Sequence, residues 1–216
     1  MNSLRATLVC DGTSDAMLEP IIRWVFREAG SVLFSEMPMA DFSRVHPRPK
    51  TLAARLEMAV RLYPCDVLFI HRDAERDPRR LRHDEIRQAY DMAVGVGVRL
   101  PAVAVVPVRM LEAWLCFNEP AIRQAAGNPN GTTPLSLPPL HQIEHNPDPK
   151  SALHHALRSA SELSGRRLKG FDPNRHVRRI LDHTDDFSPL RQLDAFQAFE
   201  EAARRTIASN WKPDLY

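Results

Sequence analysis

The stretch Asp66-Val67-Leu68-Phe69-Ile70-His71-Arg72-Asp73 decides the fold that we predict for this chain. Its apolar part, residues 66–70, is unbroken, as in strands that are covered on both faces of a parallel sheet. The polar residues 71–78 follow directly and would leave the carboxyl end of that strand. On either side, short apolar runs alternate with longer amphipathic runs, which is typical of β/α units. We therefore predict an α/β fold with a mostly parallel sheet flanked by helices.

The same periodicity predicts the other elements. Further strands are expected at residues 6–10, 31–42 and 102–108, and helices at residues 16–29, 52–62, 80–94 and 110–117. Six prolines in residues 128–149 predict an irregular surface segment. Helices follow at residues 151–163, 173–181 and 190–207. The expected organisation is an α/β domain at 1–127, the Pro-rich segment at 128–149, and a helical C-terminal appendage at 150–216 packed on the first part.

Composition excludes several classes of protein. With 216 residues, 44% hydrophobic and 26% charged, the chain is close to soluble globular averages, which argues against a largely disordered or collagen-like protein. No apolar run approaches the ~20 residues that a bilayer span needs, and the N-terminus lacks the apolar stretch of a signal peptide. A cytoplasmic protein with no membrane partner is expected. Cys10, Cys65 and Cys116 lie in apolar runs without CxxC spacing, so we predict buried free thiols.

Acidic residues follow three of the predicted strands. Asp11 follows the first strand, Asp73, Glu75 and Asp77 follow the third, and Glu112 follows the fourth. Ligands of open α/β sheets bind beyond the carboxyl ends of the strands, so these carboxylates are expected in one crevice. Mg²⁺ or Mn²⁺, which prefer oxygen ligands, would neutralise such a cluster. Each residue alone is explained better by helix capping or a polar helix face than by metal binding, and only their coincidence at three strand ends favours a metal site.

Arginines crowd the segment after the third strand and suit a phosphate-containing substrate. We assign phosphate binding to four of them, with Arg82 as a neighbour: Arg72, Arg76, Arg79 and Arg80. The alternative for this cluster is a solvated helix N-terminus. Only four of the 29 basic residues in the chain are lysine, which codon bias would also explain. A second basic run, residues 166–179, would either track a nucleic-acid backbone or form an exposed helix pair.

Three segments resemble one family. Leu8-Val9-Cys10-Asp11-Gly12-Thr13-Ser14-Asp15 is similar to the opening motif of Toprim domains, which has an acidic residue and glycine after a first strand, then Ser/Thr and a second acidic residue. Residues 66–77 resemble the Toprim DxD motif. Residues 107–115 resemble the E-x-W segment of small stand-alone bacterial Toprim-like proteins related to nucleases of the OLD (overcoming lysogenization defect) family. The resemblance covers about residues 7–125. Toprim proteins usually have Glu at the position of Asp11 and Asp-x-Asp at that of Asp73-Ala74-Glu75.

This resemblance implies a Toprim-like fold and Mg²⁺- or Mn²⁺-dependent hydrolysis of a phosphodiester bond in DNA or RNA, in bacterial anti-phage defence. Asp11, Asp73, Glu75 and Glu112 would be the catalytic residues. The same residues, with Asp77, would hold the metal. The resemblance also allows a different class of function, a non-catalytic Toprim-like module that acts as the regulatory partner of an ATPase.

Two other patterns receive a structural interpretation. His141-Gln142-Ile143-Glu144-His145 matches the HxxEH pattern of zinc proteases, but prolines on both sides leave too little chain for the required helix. We predict no zinc at this segment. His71 beside Asp73 suits either proton transfer or a structural hydrogen bond, and Trp114 is expected in the core.

Overall fold

The computed structural model describes residues 3–211, and these form two compact units. The first unit contains the chain up to Val106 and again from Ala198, and the second is Pro107–Gln197. The C-terminal helix therefore contributes to the first unit, because its apolar residues Phe199, Ala203 and Ile207 are buried. The boundaries of the units lie at 106 and 197, whereas the sequence suggested 127 and 149.

The first unit is an α/β sheet layered with helices. Its elements are β1 (Ser3–Val9), a 3₁₀ turn (Thr13–Met17), α1 (Leu18–Gly30), β2 (Leu33–Glu36), α2 (Leu52–Leu62), β3 (Val67–His71), α3 (Arg79–Gly95) and β4 (Ala102–Val105). The strands form a four-stranded sheet of order β2-β1-β3-β4 with all pairs parallel. The predicted fold class is confirmed.

The central strand β3 is buried along its whole length, as its apolar sequence predicts. Its residues alternate between the two faces of the sheet. Phe69 contacts Phe26 of α1 and Phe34 of β2, with ring centroids 5.2 and 5.7 Å away. Leu68 and Ile70 belong instead to the cluster that includes the buried residues of α2 and α3. Because helices cover both faces, the carboxyl edge of the sheet is where its loops can form a binding site.

The second unit is helical and irregular. It contains 3₁₀ turns at Leu111–Leu115, Leu140–His145 and Ser188–Gln192, with helices α4 (Glu119–Ala125), α5 (Pro149–Ser161), α6 (Gly165–Lys169) and α7 (Asn174–Asp182). Helix α8 (Asp194–Asn210) contains the boundary between the units. The α-helix predicted at 110–117 is a 3₁₀ turn, because Asn118 caps a separate helix by accepting a hydrogen bond from the Ala121 N–H at 3.1 Å.

The three cysteines Cys10, Cys65 and Cys116 are free and buried, as predicted. Burial raises the pKa of Cys10 and of Cys116 to about 12, so both are protonated thiols at neutral pH. Across residues 3–211, no helix has the length and apolarity of a membrane span.

Candidate functional site

A polar cavity of about 310 Å³ lies at the carboxyl ends of β1 and β3. We call it the carboxylate cavity. Its lining includes four acidic residues, two arginines and a histidine: Asp11, Asp15, Asp73, Glu75, Arg72, Arg82 and His71, together with Gly12 and Ser14. Of the site residues predicted from the sequence, the cavity brings together Asp11, Arg72, Asp73 and Glu75.

The loop after β1 turns an acidic side chain inwards. Asp15 is 8% exposed, and its carboxylate accepts hydrogen bonds from the Gly12 N–H at 2.9 Å and the Ser14 hydroxyl at 3.2 Å. The site predicted from the sequence does not include Asp15. The signal that marks it is its place in the opening motif, where the resemblance has a second acidic residue.

Asp11 is held by two arginines. Its carboxylate accepts from Arg55 Nη1 at 2.6 Å and pairs with Arg72 Nε at 2.7 Å. Arg55 also donates to the carbonyl oxygen of Cys10, and its guanidinium lies 5.7 Å from the ring centroid of Phe42. Arg55 stands on α2, far from Asp11 in the chain, so no local pattern could have predicted this pair. Both oxygens of Asp11 therefore already have cationic partners.

His71 is buried between acceptors. Its Nδ1 lies 2.9 Å from the carbonyl oxygen of Val105, and since a carbonyl only accepts, this nitrogen must carry a hydrogen. Its Nε2 lies 3.9 Å from Asp15 Oδ2 and 3.6 Å from Asp73 Oδ1. Burial lowers the pKa of His71, with the charge of Asp15 opposing that shift. In the neutral ring Nε2 is an acceptor, so two carboxylate oxygens lie within 4 Å of a third acceptor atom.

Arg82 neutralises the acidic loop after β3. Its guanidinium pairs with Asp77 at 2.9 Å, with Glu75 at 3.6 Å and with Glu85 at 2.9 Å. Glu75 has a left-handed backbone, φ 54°, and the turn is closed by the Asp77 N–H donating to the Ala74 carbonyl at 3.0 Å. Non-glycine residues in this conformation cost roughly 1–2 kcal/mol and concentrate at functional sites. Asp77 thus supports the loop through Arg82.

The other arginines of the sequence prediction lie on the segment that follows. Arg76 is exposed, Arg79 half-buried, and the Arg80 side chain is 91% exposed with Asp84 3.8 Å away. Among described residues, the lining of the carboxylate cavity does not include these three. Their assignment to phosphate binding stays a prediction.

Glu112 belongs to the second unit. It is buried, 9% exposed, with its carboxylate 3.9 Å from the Lys150 ammonium. Its role as a metal ligand stays a prediction.

Residues 3–211 contain no cluster of three or more His, Cys, Asp or Glu side chains spaced to hold a metal ion. The HxxEH segment forms the 3₁₀ turn Leu140–His145 in place of an α-helix, as its flanking prolines predict. Glu144 accepts from the Ala195 N–H at 3.3 Å, which gives this residue a structural contact.

Comparison of the chain with protein-family models, curated proteins and solved structures gives no significant match.

Proposed function

We propose that the chain hydrolyses phosphodiester bonds of DNA or RNA with Mg²⁺ or Mn²⁺, and that the carboxylate cavity is its active site. The supporting observation is that Asp11, Asp15, Asp73 and Glu75 from two strand ends line one polar cavity with two arginines. This arrangement agrees with the Toprim resemblance of the sequence. The same resemblance suggests a role in bacterial anti-phage defence.

The donor set suits a hard cation. Mg²⁺ is usually held by one or two carboxylates, with water and substrate phosphates completing its shell, so a three-residue cluster is not required. Asp15 and Asp73 are the residues we assign to the ion. Each has an oxygen within 4 Å of the His71 Nε2, which is itself an acceptor in the neutral ring. A bound cation would interact favourably with all three of these electron-pair donors.

The ion would supply polarisation of a phosphoryl oxygen and activation of the attacking water. The chain itself would orient the substrate. Arg72 and Arg82 line the cavity and have the planar fork that fits phosphate oxygens. A phosphate entering the cavity would compete with Asp11 for Arg72, which lies 2.7 Å from that carboxylate. The hydrogen bond to Val105 keeps the His71 ring fixed, with Nε2 facing the two carboxylates.

Asp73→Asn tests this function. The variant should lose binding of Mn²⁺ and Mg²⁺ in calorimetric titrations and lose metal-dependent cleavage of DNA and RNA. Its melting temperature in metal-free buffer should be unchanged or higher, because removing one carboxylate relieves repulsion from its neighbours. Asp91→Asn, on an exposed position of α3, is the matched control and should retain both properties.

Two outcomes would overturn the assignment. Equal metal binding by the wild type and Asp73→Asn would remove Asp73 from the metal site. A destabilised Asp73→Asn variant that still cleaves nucleic acid would make Asp73 a structural cap.

A second candidate is a non-catalytic Toprim-like module that regulates an ATPase partner. The observation that favours it is the neutralisation of the cluster by arginines, with Asp11 paired to Arg55 and Arg72. This function requires no metal. It predicts that the wild-type chain neither binds Mn²⁺ nor cleaves nucleic acid in the same titration and cleavage assays.

A further inference from the structure

The positive charge of this protein is concentrated in one short stretch. Residues 164–182 contain six basic residues and two acidic residues, whereas the whole chain has a formal net charge of only +2. The remainder of the chain is therefore net negative. The stretch corresponds to α6 (Gly165–Lys169), a short connection, and α7 (Asn174–Asp182) in the second unit. We call the exposed side of these helices the α6–α7 surface.

Helix α7 separates its arginines from its apolar residues. Val177, Ile180 and Leu181 are buried. Arg175, Arg178 and Arg179 are all exposed, and the latter two lie three and four positions after Arg175, which makes both of them its neighbours on the helix surface. In α6, the basic residues Arg166, Arg167 and Lys169 are exposed as well. All six basic side chains are therefore accessible to a ligand.

The connection between the helices is fixed by packing. Phe171 is buried, and its ring stacks on His176 with centroids 4.4 Å apart and an interplanar angle of 13°. The His176 Nδ1 lies 2.8 Å from the carbonyl oxygen of Ala125, so this nitrogen donates a hydrogen bond to α4. The Gly170 N–H donates to the Arg166 and Arg167 carbonyls and ends α6. The α6–α7 surface is thus part of the packed second unit.

Among residues 3–211, Arg175 is the only one of these six basic residues with an ion-pair partner. Arg175 has Asp172 at 3.6 Å, but within residues 3–211 no acidic oxygen lies within 4 Å of the other five basic side chains. Like charges three or four residues apart on a helix destabilise it by about 0.2–0.5 kcal/mol per pair. The helix dipole favours cations in the last turns of α6 and α7, but within residues 3–211 Asp172 is the only acidic partner of the cluster, so most of its charge is available to an anionic ligand.

We propose that the α6–α7 surface binds the sugar–phosphate backbone of double-stranded nucleic acid. The choice of nucleic acid as the ligand rests on the proposed function. The contact with its backbone is assigned here to residues outside the carboxylate cavity. Arginine forks fit phosphate oxygens bidentately. Proteins that bind single strands stack bases on aromatic side chains, and the only aromatic residue at 164–180 other than His176 is the buried Phe171.

A membrane surface fits this region less well. Interfacial helices combine basic residues with large exposed apolar side chains. Among the described residues, the exposed large hydrophobic side chains all lie before residue 97: Leu33, Leu62, Leu81, Met92 and Val96. The α6–α7 surface therefore presents charge without an apolar anchor.

The test is binding of a fluorescein-labelled, mixed-sequence DNA duplex by fluorescence anisotropy across a salt series in EDTA buffer. The triple variant Arg175→Gln, Arg178→Gln, Arg179→Gln should bind at least about tenfold more weakly at ~0.1 M salt. The slope of log affinity against log salt should become shallower by about 0.9 for each phosphate that the variant no longer neutralises. Glutamine preserves helix propensity, and circular dichroism with thermal melting verifies that the variant folds.

The charge-matched control is Arg27→Gln, Arg61→Gln, Arg205→Gln, at exposed helix positions of the first unit. It should keep the wild-type affinity and slope. Equal weakening in both triple variants would overturn the proposal, because only net charge would then matter. Wild-type binding to anionic phosphatidylserine vesicles but not to the duplex would overturn it in favour of a membrane surface.

The EDTA buffer separates this proposal from the active-site proposal. Metal-dependent cleavage is lost in EDTA whether or not the backbone binds. A chain that binds the duplex through α7 but never cleaves it with Mg²⁺ or Mn²⁺ would refute the nuclease function alone. A chain that cleaves normally after the α7 substitutions, with unchanged duplex affinity, would refute the α6–α7 surface alone.

Discussion

Single arginine–carboxylate contacts determine the character of the candidate site. Arg55 comes from α2, has a side chain only 19% exposed, and contacts both Asp11 and the backbone of the preceding residue. A charged hydrogen bond in such a position is worth more than a surface ion pair, because the cation has already lost much of its water. Arg55 therefore holds the loop after β1 in place as well as neutralising Asp11.

Arg55→Met should lower the free energy of unfolding by about 1–2 kcal/mol, a value reduced for the exposure of Asp11. The matched control is Arg61→Met, on the same helix. Arg61 is 67% exposed and pairs with Glu57, so its removal should cost only about 0.3–0.5 kcal/mol. Urea unfolding of both variants measures the difference. Equal decreases would show that Arg55 contributes no more than an exposed helix ion pair.

Glu162 gives the second unit a pH-dependent contact. Its carboxylate accepts from the Thr132 and Thr133 N–H groups at 2.6 and 2.7 Å, and these hydrogen bonds lower its pKa from 4.5 to about 2. A carboxyl whose pKa is lower in the folded state stabilises that state fully above its unfolded pKa. The contribution is lost as the pH falls from 4.5 towards about 2.

Glu162→Gln should accordingly melt at a lower temperature than the wild type at neutral pH, because a neutral amide oxygen accepts these bonds more weakly. The difference should shrink as the pH approaches about 2, where the wild-type carboxyl becomes protonated. Thermal melting followed across this range measures it. Asp185→Asn, an exposed position in the same unit, controls for the removal of one negative charge. A difference between wild type and Glu162→Gln that is constant with pH would contradict this account.

At the scale of elements, local periodicity predicts the helices and strands of the first unit well. The helix predicted at 52–62 is α2, Leu52–Leu62, and the strand predicted at 66–70 is β3, Val67–His71. The strand predicted at 31–42 is only Leu33–Glu36, with a later bridge between Leu8 and Met39. Helices α4 and α6 are not predicted from the sequence, because segments of seven and five residues are too short to show a helical period.

Two glycines at helix ends differ only in their tertiary surroundings. Gly30 ends α1 and Gly95 ends α3. A Cβ at Gly30 would lie 2.9 Å from Ile207 Cγ2 of α8, whereas a Cβ at Gly95 would meet no atom within 4 Å. Gly30 therefore allows close approach of α1 and α8 within the first unit.

Gly30→Ala should reduce the free energy of unfolding by about 1–3 kcal/mol through overpacking. Gly95→Ala should instead raise it by about 0.5–1 kcal/mol, because alanine loses less backbone entropy in a helix. Chemical denaturation measures both. In an Ile207→Ala background the destabilisation by Gly30→Ala should become smaller, and an unchanged value would mean that Ile207 is not the side chain responsible.

At the scale of the whole molecule, the carboxylate cavity and the α6–α7 surface belong to different compact units. The carboxylate cavity is built from residues of the first unit, and the α6–α7 surface from residues of the second. The first unit is discontinuous in sequence, since it takes up the chain again from Ala198. Neither a change in composition nor a linker precedes Ala198 in the sequence. The residues that join the first unit lie on the buried side of a single continuous helix, α8.

The sequence by itself determined the fold class, the parallel sheet and the strand ends at which Asp11, Asp73 and Glu75 stand. These follow from the apolar periodicity and from strand-to-loop transitions, which are local properties of the chain. Only the tertiary structure decided that Asp15 turns into the carboxylate cavity and that Arg55 neutralises Asp11. Contacts between residues far apart in the chain depend on how helices pack on the sheet, and local periodicity does not predict that packing.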